Sequence, residues 1–144
     1  MKSRLILLCT LLALSLSLFA CTSKQASLEI SCDEFMEGQH FTWEVEVNTG
    51  DSVTVTLCSN PTTGFQWTEL AQISNETVLK QTDHKFVPPE AKGDKPPPPG
   101  SAGQEVWTFK ALKEGKSTIS MEYSQPWEGG QKATWTFALT VVVK

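Results

Sequence analysis

His40 and His84 are the two side chains that could act as general bases near neutral pH in this 144-residue chain. The candidate nucleophiles in its body are Cys32 and Cys58, and neither lies in a recognisable nucleophile motif. Two histidines without CxxC or HExxH spacing also make no metal site. The pattern argues against an enzyme and implies no metal and no cofactor. What remains is recognition. Asn60-Pro61-Thr62-Thr63-Gly64-Phe65 interrupts two strand patterns; Pro61 fixes one φ and Gly64 permits a positive one, so the turn can protrude with a defined shape. Tyr123-Ser124-Gln125-Pro126-Trp127 ends another strand pattern with a proline and a tryptophan. A loop tryptophan either anchors an interface or folds back on its own domain, and these residues alone leave both open. Residues 88–103 are a long Pro/Gly segment, of a length that is functional or disordered. Within it, Pro96 to Pro99 should stiffen into polyproline II and present Gly100-Ser101-Ala102-Gly103 at its end.

The elements that must position these segments are strands. Phe41, Trp43, Val45 and Val47 alternate with polar residues, as do Val53, Val55 and Leu57. Trp107, Phe109 and Ala111 repeat the pattern, then Ile119, Met121 and Tyr123, then Trp135, Phe137, Leu139, Val141 and Val143. Leu28, Ile30 and Cys32 add a short strand at the start. Turn residues separate the runs at 48–51, 113–116 and 128–130. No stretch of ten or more residues carries a helical stripe, although 72–80 fits either a helical turn or a strand. About eight strands with turns between them indicate an all-β, antiparallel sandwich. Trp43, Trp107 and Trp135 are expected between its sheets, as core and not as cofactor platforms.

The first 20 residues read as a secretory signal. Lys2 and Arg4 precede an apolar run from Leu5 to Ala20, shorter than the roughly 20 residues that span a bilayer. Leu18-Phe19-Ala20-Cys21 resembles the lipobox of bacterial lipoproteins, which implies a lipid on Cys21 and an exported chain anchored to a membrane. Residues 21–27 then serve as a tether and 28–144 as one domain. From Cys21 onward there are ten basic and sixteen acidic residues, with no arginine. That argues against nucleic acid and against docking on anionic lipid through basic patches. Once Cys9 leaves and Cys21 is acylated, Cys32 and Cys58 are expected to pair. Leu57 points inward by alternation, so Cys58 faces away from the core or leaves the strand. The bridge should then tie the first strand to the end of the second at the sandwich edge.

Asn60-Pro-Thr-Thr-Gly-Phe65, Gly100-Ser-Ala-Gly103 before Trp107-Thr-Phe109, and Tyr123-Ser-Gln-Pro-Trp127 fall in that order at strand ends. Together they resemble the three loops of the chagasin family of cysteine-protease inhibitors, over nearly the whole of 28–144. His84-Lys-Phe-Val-Pro-Pro89 is similar to the family's segment leading into its second loop. The resemblance implies an immunoglobulin-like sandwich, a monomer, whose partners are papain-like cysteine proteases. It places Asn60, Pro61, Thr62, Thr63, Gly64 and Phe65 in the active-site cleft. Gly100, Ser101, Ala102 and Gly103 fall on the non-primed side, and Gln125, Pro126 and Trp127 on the primed side. Two departures stand out: Gln125 replaces the usual arginine, and Ser101-Ala102 interrupts the glycine pattern. The competing reading is a surface lipoprotein of immunoglobulin-like fold that binds a carbohydrate or an adhesion partner.

Overall fold

Alternation survives residue by residue where it is clearest. Glu105, Trp107, Phe109 and Ala111 are buried with partly exposed residues between them, and Phe137, Leu139, Val141 and Val143 repeat this. Period-two burial is what a strand with one covered face must show. A computed structural model of the chain describes residues 23–91 and 93–144; the expected signal segment and Cys21 lie outside them. Nine strands occur among the described residues: β1 (Gln25–Ile30), β2 (His40–Val47), β3 (Ser52–Ser59), β4 (Gln66–Trp67), β5 (Gln72–Ile73), β6 (Leu79–Val87), β7 (Gly103–Ala111), β8 (Gly115–Ser124) and β9 (Trp135–Val143). One sheet has the order β1-β3-β7-β6, and the other β2-β9-β8-β4 with β5 also on β8. The expected sandwich is the observed fold. Two edge pairs, β1 with β3 and β2 with β9, run parallel, and the remaining pairs antiparallel.

These directions place the ends of the molecule. β1, β3, β6 and β8 run one way and β2, β4, β7 and β9 the other. The links β3–β4, β6–β7 and β8–β9 therefore gather at one pole. Ser23, Lys24, the 48–51 turn and Lys144 gather at the opposite pole, where Lys24 N donates to Asp51 Oδ1 (2.8 Å) and Thr49 N to Lys144 O (2.9 Å).

A short helix, α1 (Cys32–Glu37), carries the chain from β1 in one sheet to β2 in the other. The sequence contains its signature. Ser31 and Glu34 form a reciprocal capping box, but six residues are too few to display a helical stripe. Phe35 on its inner side is buried and packs against Tyr123 (5.4 Å between centroids) and Trp135 (5.0 Å). Cys32, the first residue of α1, is bridged to Cys58 at the end of β3. The bridge thus joins the helix to a strand rather than strand to strand. Cys58 is 4 % exposed; α1 and the bridge cover a side chain that alternation alone turns outward.

The tryptophans sort differently from expectation. Trp107 is fully buried, but Trp43 is 36 % exposed, because β2 is an edge strand where its ring stacks on Phe41 and Phe137. Trp135 is half-buried at the start of β9. Trp107 holds the inter-sheet position together with Trp67 of the other sheet, which meets it edge-on at 6.5 Å and whose Nε1–H donates to Cys58 O at 2.9 Å, the partner a buried indole requires. Residues 72–80 resolve into β5, a turn capped by the Asn75 side chain, and the start of β6. Complete burial of Phe109, Phe137 and Leu139 contributes roughly 2–3 kcal/mol for each side chain.

Candidate functional site

The β3–β4 link is a 3₁₀ turn over Pro61–Thr63. Its side chains supply the order that three residues of helix cannot. Asn60 Oδ1 accepts from Thr62 N (3.2 Å) and Thr62 Oγ1 (2.6 Å), and Thr63 Oγ1 donates to Asn60 O (2.7 Å). Pro61 occupies the first helical position, where a missing N–H costs nothing. Gly64 ends the turn in the left-handed region at φ 81°. Pro61, Thr62 and Thr63 are exposed. Phe65 turns back, stacking on Tyr123 (5.6 Å) and meeting Trp135 edge-on (5.7 Å). The result is a projecting turn on an aromatic base, with Tyr123 Oη accepting from Asn60 N at 2.8 Å.

The second loop touches the first. Asn60 Nδ2 donates to Gly100 O at 2.8 Å. Pro98 to Ser101 form a turn in which Ser101 N and Oγ both donate to Pro98 O, and Gly100 has φ 81°. Gly100 is exposed, and Ser101 and Ala102 half-exposed. Gly103 is not on the loop surface. It is buried as the first residue of β7, where a Cβ would stand 2.4 Å from Val87 O and 2.6 Å from the Phe86 ring. Its glycine serves the close approach of β6 and β7.

The third loop touches the first from the other side. A Cβ at Gly64 would stand 2.6 Å from Trp127 Cη2, and within the third loop one at Gly130 would stand 2.7 Å from Gln125 Cβ and 3.0 Å from Trp127 Nε1. Trp127 is 49 % exposed, so it both folds back and presents a face. Gln125 is occupied within its loop: its N donates to Gln131 O (2.8 Å) and its Oε1 accepts from Gln131 N (3.0 Å). Lys132, which lies outside the loop motifs of the sequence, donates from Nζ to Trp127 O at 3.0 Å and is the cation of this loop. Pro126 is exposed.

Beneath the loops lies a second group that the motifs did not reveal. Glu105 is 6 % exposed and accepts from Ser59 Oγ at 2.7 Å; its other oxygen meets His84 Nε2 at 2.7 Å. The His84 ring stacks on Trp107 at 4.8 Å. Ser59 is the last residue of β3 and Glu105 the third of β7, so this carboxylate straps together the strands that carry the first two loops. Far away, Asp51 is held below its usual carboxylate range by the backbone N–H of Asn48 and of Lys24. Glu34 is likewise lowered, by the Ser31 hydroxyl and backbone N–H. No group of three or more metal-binding side chains occurs among the described residues.

A family model described as "Chagasin family peptidase inhibitor I42" matches residues 46–141. Amoebiasin-2 of Entamoeba histolytica is 28% identical over 133 residues, covering 86% of this chain and 92% of its own length. Chagasin of Trypanosoma cruzi is 30% identical over 86 residues, 58% of this chain and 73% of its own. The crystal structure of the cysteine protease inhibitor EhICP2 from Entamoeba histolytica superposes with a TM-score of 0.63 at 22% identity, covering 85% of this chain and 98% of that one.

Proposed function

The chain belongs to the chagasin family of peptidase inhibitors, and we propose that it blocks papain-like cysteine proteases by inserting Asn60–Phe65 into their active-site cleft. The observation that carries this reading is the joining of three loops into one surface. Asn60 bonds to the second loop through Gly100 O, and Gly64 meets Trp127 of the third. In this reading Gly100, Ser101 and Ala102 lie along one side of the wedge, and Gln125, Pro126 and Trp127 along the other.

The chemistry is occlusion. The turn fills the cleft without holding a peptide carbonyl at attack distance and angle, so the near-attack geometry needed for cleavage is absent. Its internal hydrogen bonds are already made in the free chain, so little conformational entropy is lost on binding. A standard interface of roughly 800 Å² per partner with preorganised anchors supports nanomolar affinity. We further propose that residues 1–20 direct export and that lipid on Cys21 anchors the chain. The position of Ser23 and Lys24 at the pole away from the loops supports this, since an anchor there leaves the wedge free.

Titration of papain with the purified chain tests the central reading. Stoichiometric, reversible inhibition is expected, with an intact chain between Asn60 and Phe65 after long incubation. Absence of inhibition at micromolar concentration, or rapid cutting within the turn, would remove it.

A further inference from the structure

We propose that the cleft between α1 and the first loop is a fourth contact surface for the inhibited protease. Met36 on its rim would accept an apolar residue from the wall flanking the catalytic groove, and so select among papain-like enzymes. The inference rests on the inhibitory reading above. The cleft has a volume of about 340 Å³ and is lined by Phe35, Met36, Phe65, Ala102 and the Cys32–Cys58 bridge, among others. No acidic or basic side chain lines it. Met36 is 78 % exposed while its neighbour Phe35 is buried. An open apolar cleft beside an exposed methionine is a surface that gains by being covered, and methionine adapts to irregular partners.

The position of the cleft identifies what covers it. Asn60, Thr63 and Phe65 belong both to its wall and to the wedge. The loops form a row, second-first-third, joined by the Asn60–Gly100 bond and the Gly64–Trp127 contact. That row takes the length of the enzyme's groove. α1 flanks the row, so it faces a wall of the groove and not its ends. The N-terminal residues Ser23 and Lys24 leave from the opposite pole, beside Asp51. The capping box and the bridge to β3 hold α1 in place, so Met36 is presented with little loss of freedom on binding. α1 also precedes residues 46–141, the span of the family pattern, and this contact is additional to the three loops.

The test uses the full chain, purified in mild detergent, with Met36→Glu and Met36→Leu variants against papain. Met36→Glu should weaken inhibition about tenfold or more, and Met36→Leu by no more than about threefold. Against other papain-like proteases the penalty of Met36→Glu should vary with the enzyme, whereas loss of a wedge residue should weaken inhibition of all. An independent measurement is peroxide oxidation of Met36, which should slow when papain with its catalytic thiol alkylated is bound. Unchanged inhibition by Met36→Glu, or unchanged oxidation in the complex, overturns the proposal. A free chain that sediments as a dimer, and becomes monomeric with Met36→Glu at unchanged inhibition, assigns the cleft to a second copy and overturns it too. Failure of the wild-type chain to inhibit any of these enzymes is a different result, and removes the inhibitory reading as well.

Discussion

Trp127 of the third loop rests on Gly64 of the first: a Cβ at position 64 would stand 2.6 Å from ring carbon Cη2. Gly64 is therefore required twice, for its left-handed φ of 81° and for the indole above it. Trp127→Ala should weaken papain inhibition about 30-fold while lowering unfolding stability by no more than about 1 kcal/mol. Gly64→Ala should weaken inhibition about tenfold or more, and by less in the Trp127→Ala background, where the clash with the indole is gone and only the cost of the positive φ remains. Trp107→Ala is the core control and should cost about 3–5 kcal/mol of stability. Denaturant midpoints and inhibition constants for the four variants check this; strict additivity of the two loop changes would show that the loops bind separately.

Glu105→Leu should disturb both the fold and the wedge. It leaves the Ser59 hydroxyl and His84 Nε2 without their partner, at a cost of about 1–3 kcal/mol. Since Ser59 precedes Asn60 directly, inhibition should fall by more than the unfolded fraction explains. Glu105→Gln, which keeps one accepting oxygen, should recover part of both. Equal loss for Leu and Gln would mean that charge and not hydrogen bonding matters here.

The Cys32–Cys58 bridge, at a sequence separation of 26, should contribute roughly 3.5 kcal/mol in the chain-entropy model. Replacing both cysteines by serine should lower the denaturant midpoint accordingly and loosen α1. Titration of the denatured, unreduced chain with a thiol reagent should find neither residue free.

Asp51 makes stability depend on pH with a defined sign. Its folded-state pKa is lowered by the N–H groups of Asn48 and Lys24. The stabilisation is therefore complete above the ordinary carboxylate range and is lost as pH falls through the lowered folded value. Asp51→Asn should be less stable than wild type at neutral pH, and the gap should close in acid. A gap that persists or widens on acidification would contradict this linkage.

Cys21→Ser tests the anchor. Expressed in a bacterium, the wild-type chain should partition with membranes, and the variant should be released or fail to mature. Identical fractionation of the two would end the lipoprotein reading.

Local patterns that extend over many residues are legible in the sequence. β7, β8 and β9 show one-face burial along their length, and the three loops sit where the breaks in alternation lie. Elements shorter than one period are not: α1 shows only its capping box, and β4 and β5 have two residues each. Alternation also cannot tell an edge strand from a central one. Trp43 and Trp107 have the same pattern around them, yet only Trp107 is flanked by strands on both sides. Gly103 closes the Gly100–Gly103 run that resembles a glycine-rich loop, yet its constraint is the carbonyl of Val87 on another strand. The Ser59–Glu105–His84 group joins residues 46 and 21 positions apart, and no single-chain spacing announces such a meeting.

The parallel pairing of β1 with β3 makes the domain a standoff of fixed height. The eight residues of β3, at about 3.3 Å each, separate the two poles by roughly 25 Å. Ser23 and Lys144 both lie at the far pole, so tethering the protein to a surface at either residue should present the wedge outward, a strand's length above that surface. A bead or electrode bearing the protein this way would capture proteases from solution, with no spacer to design.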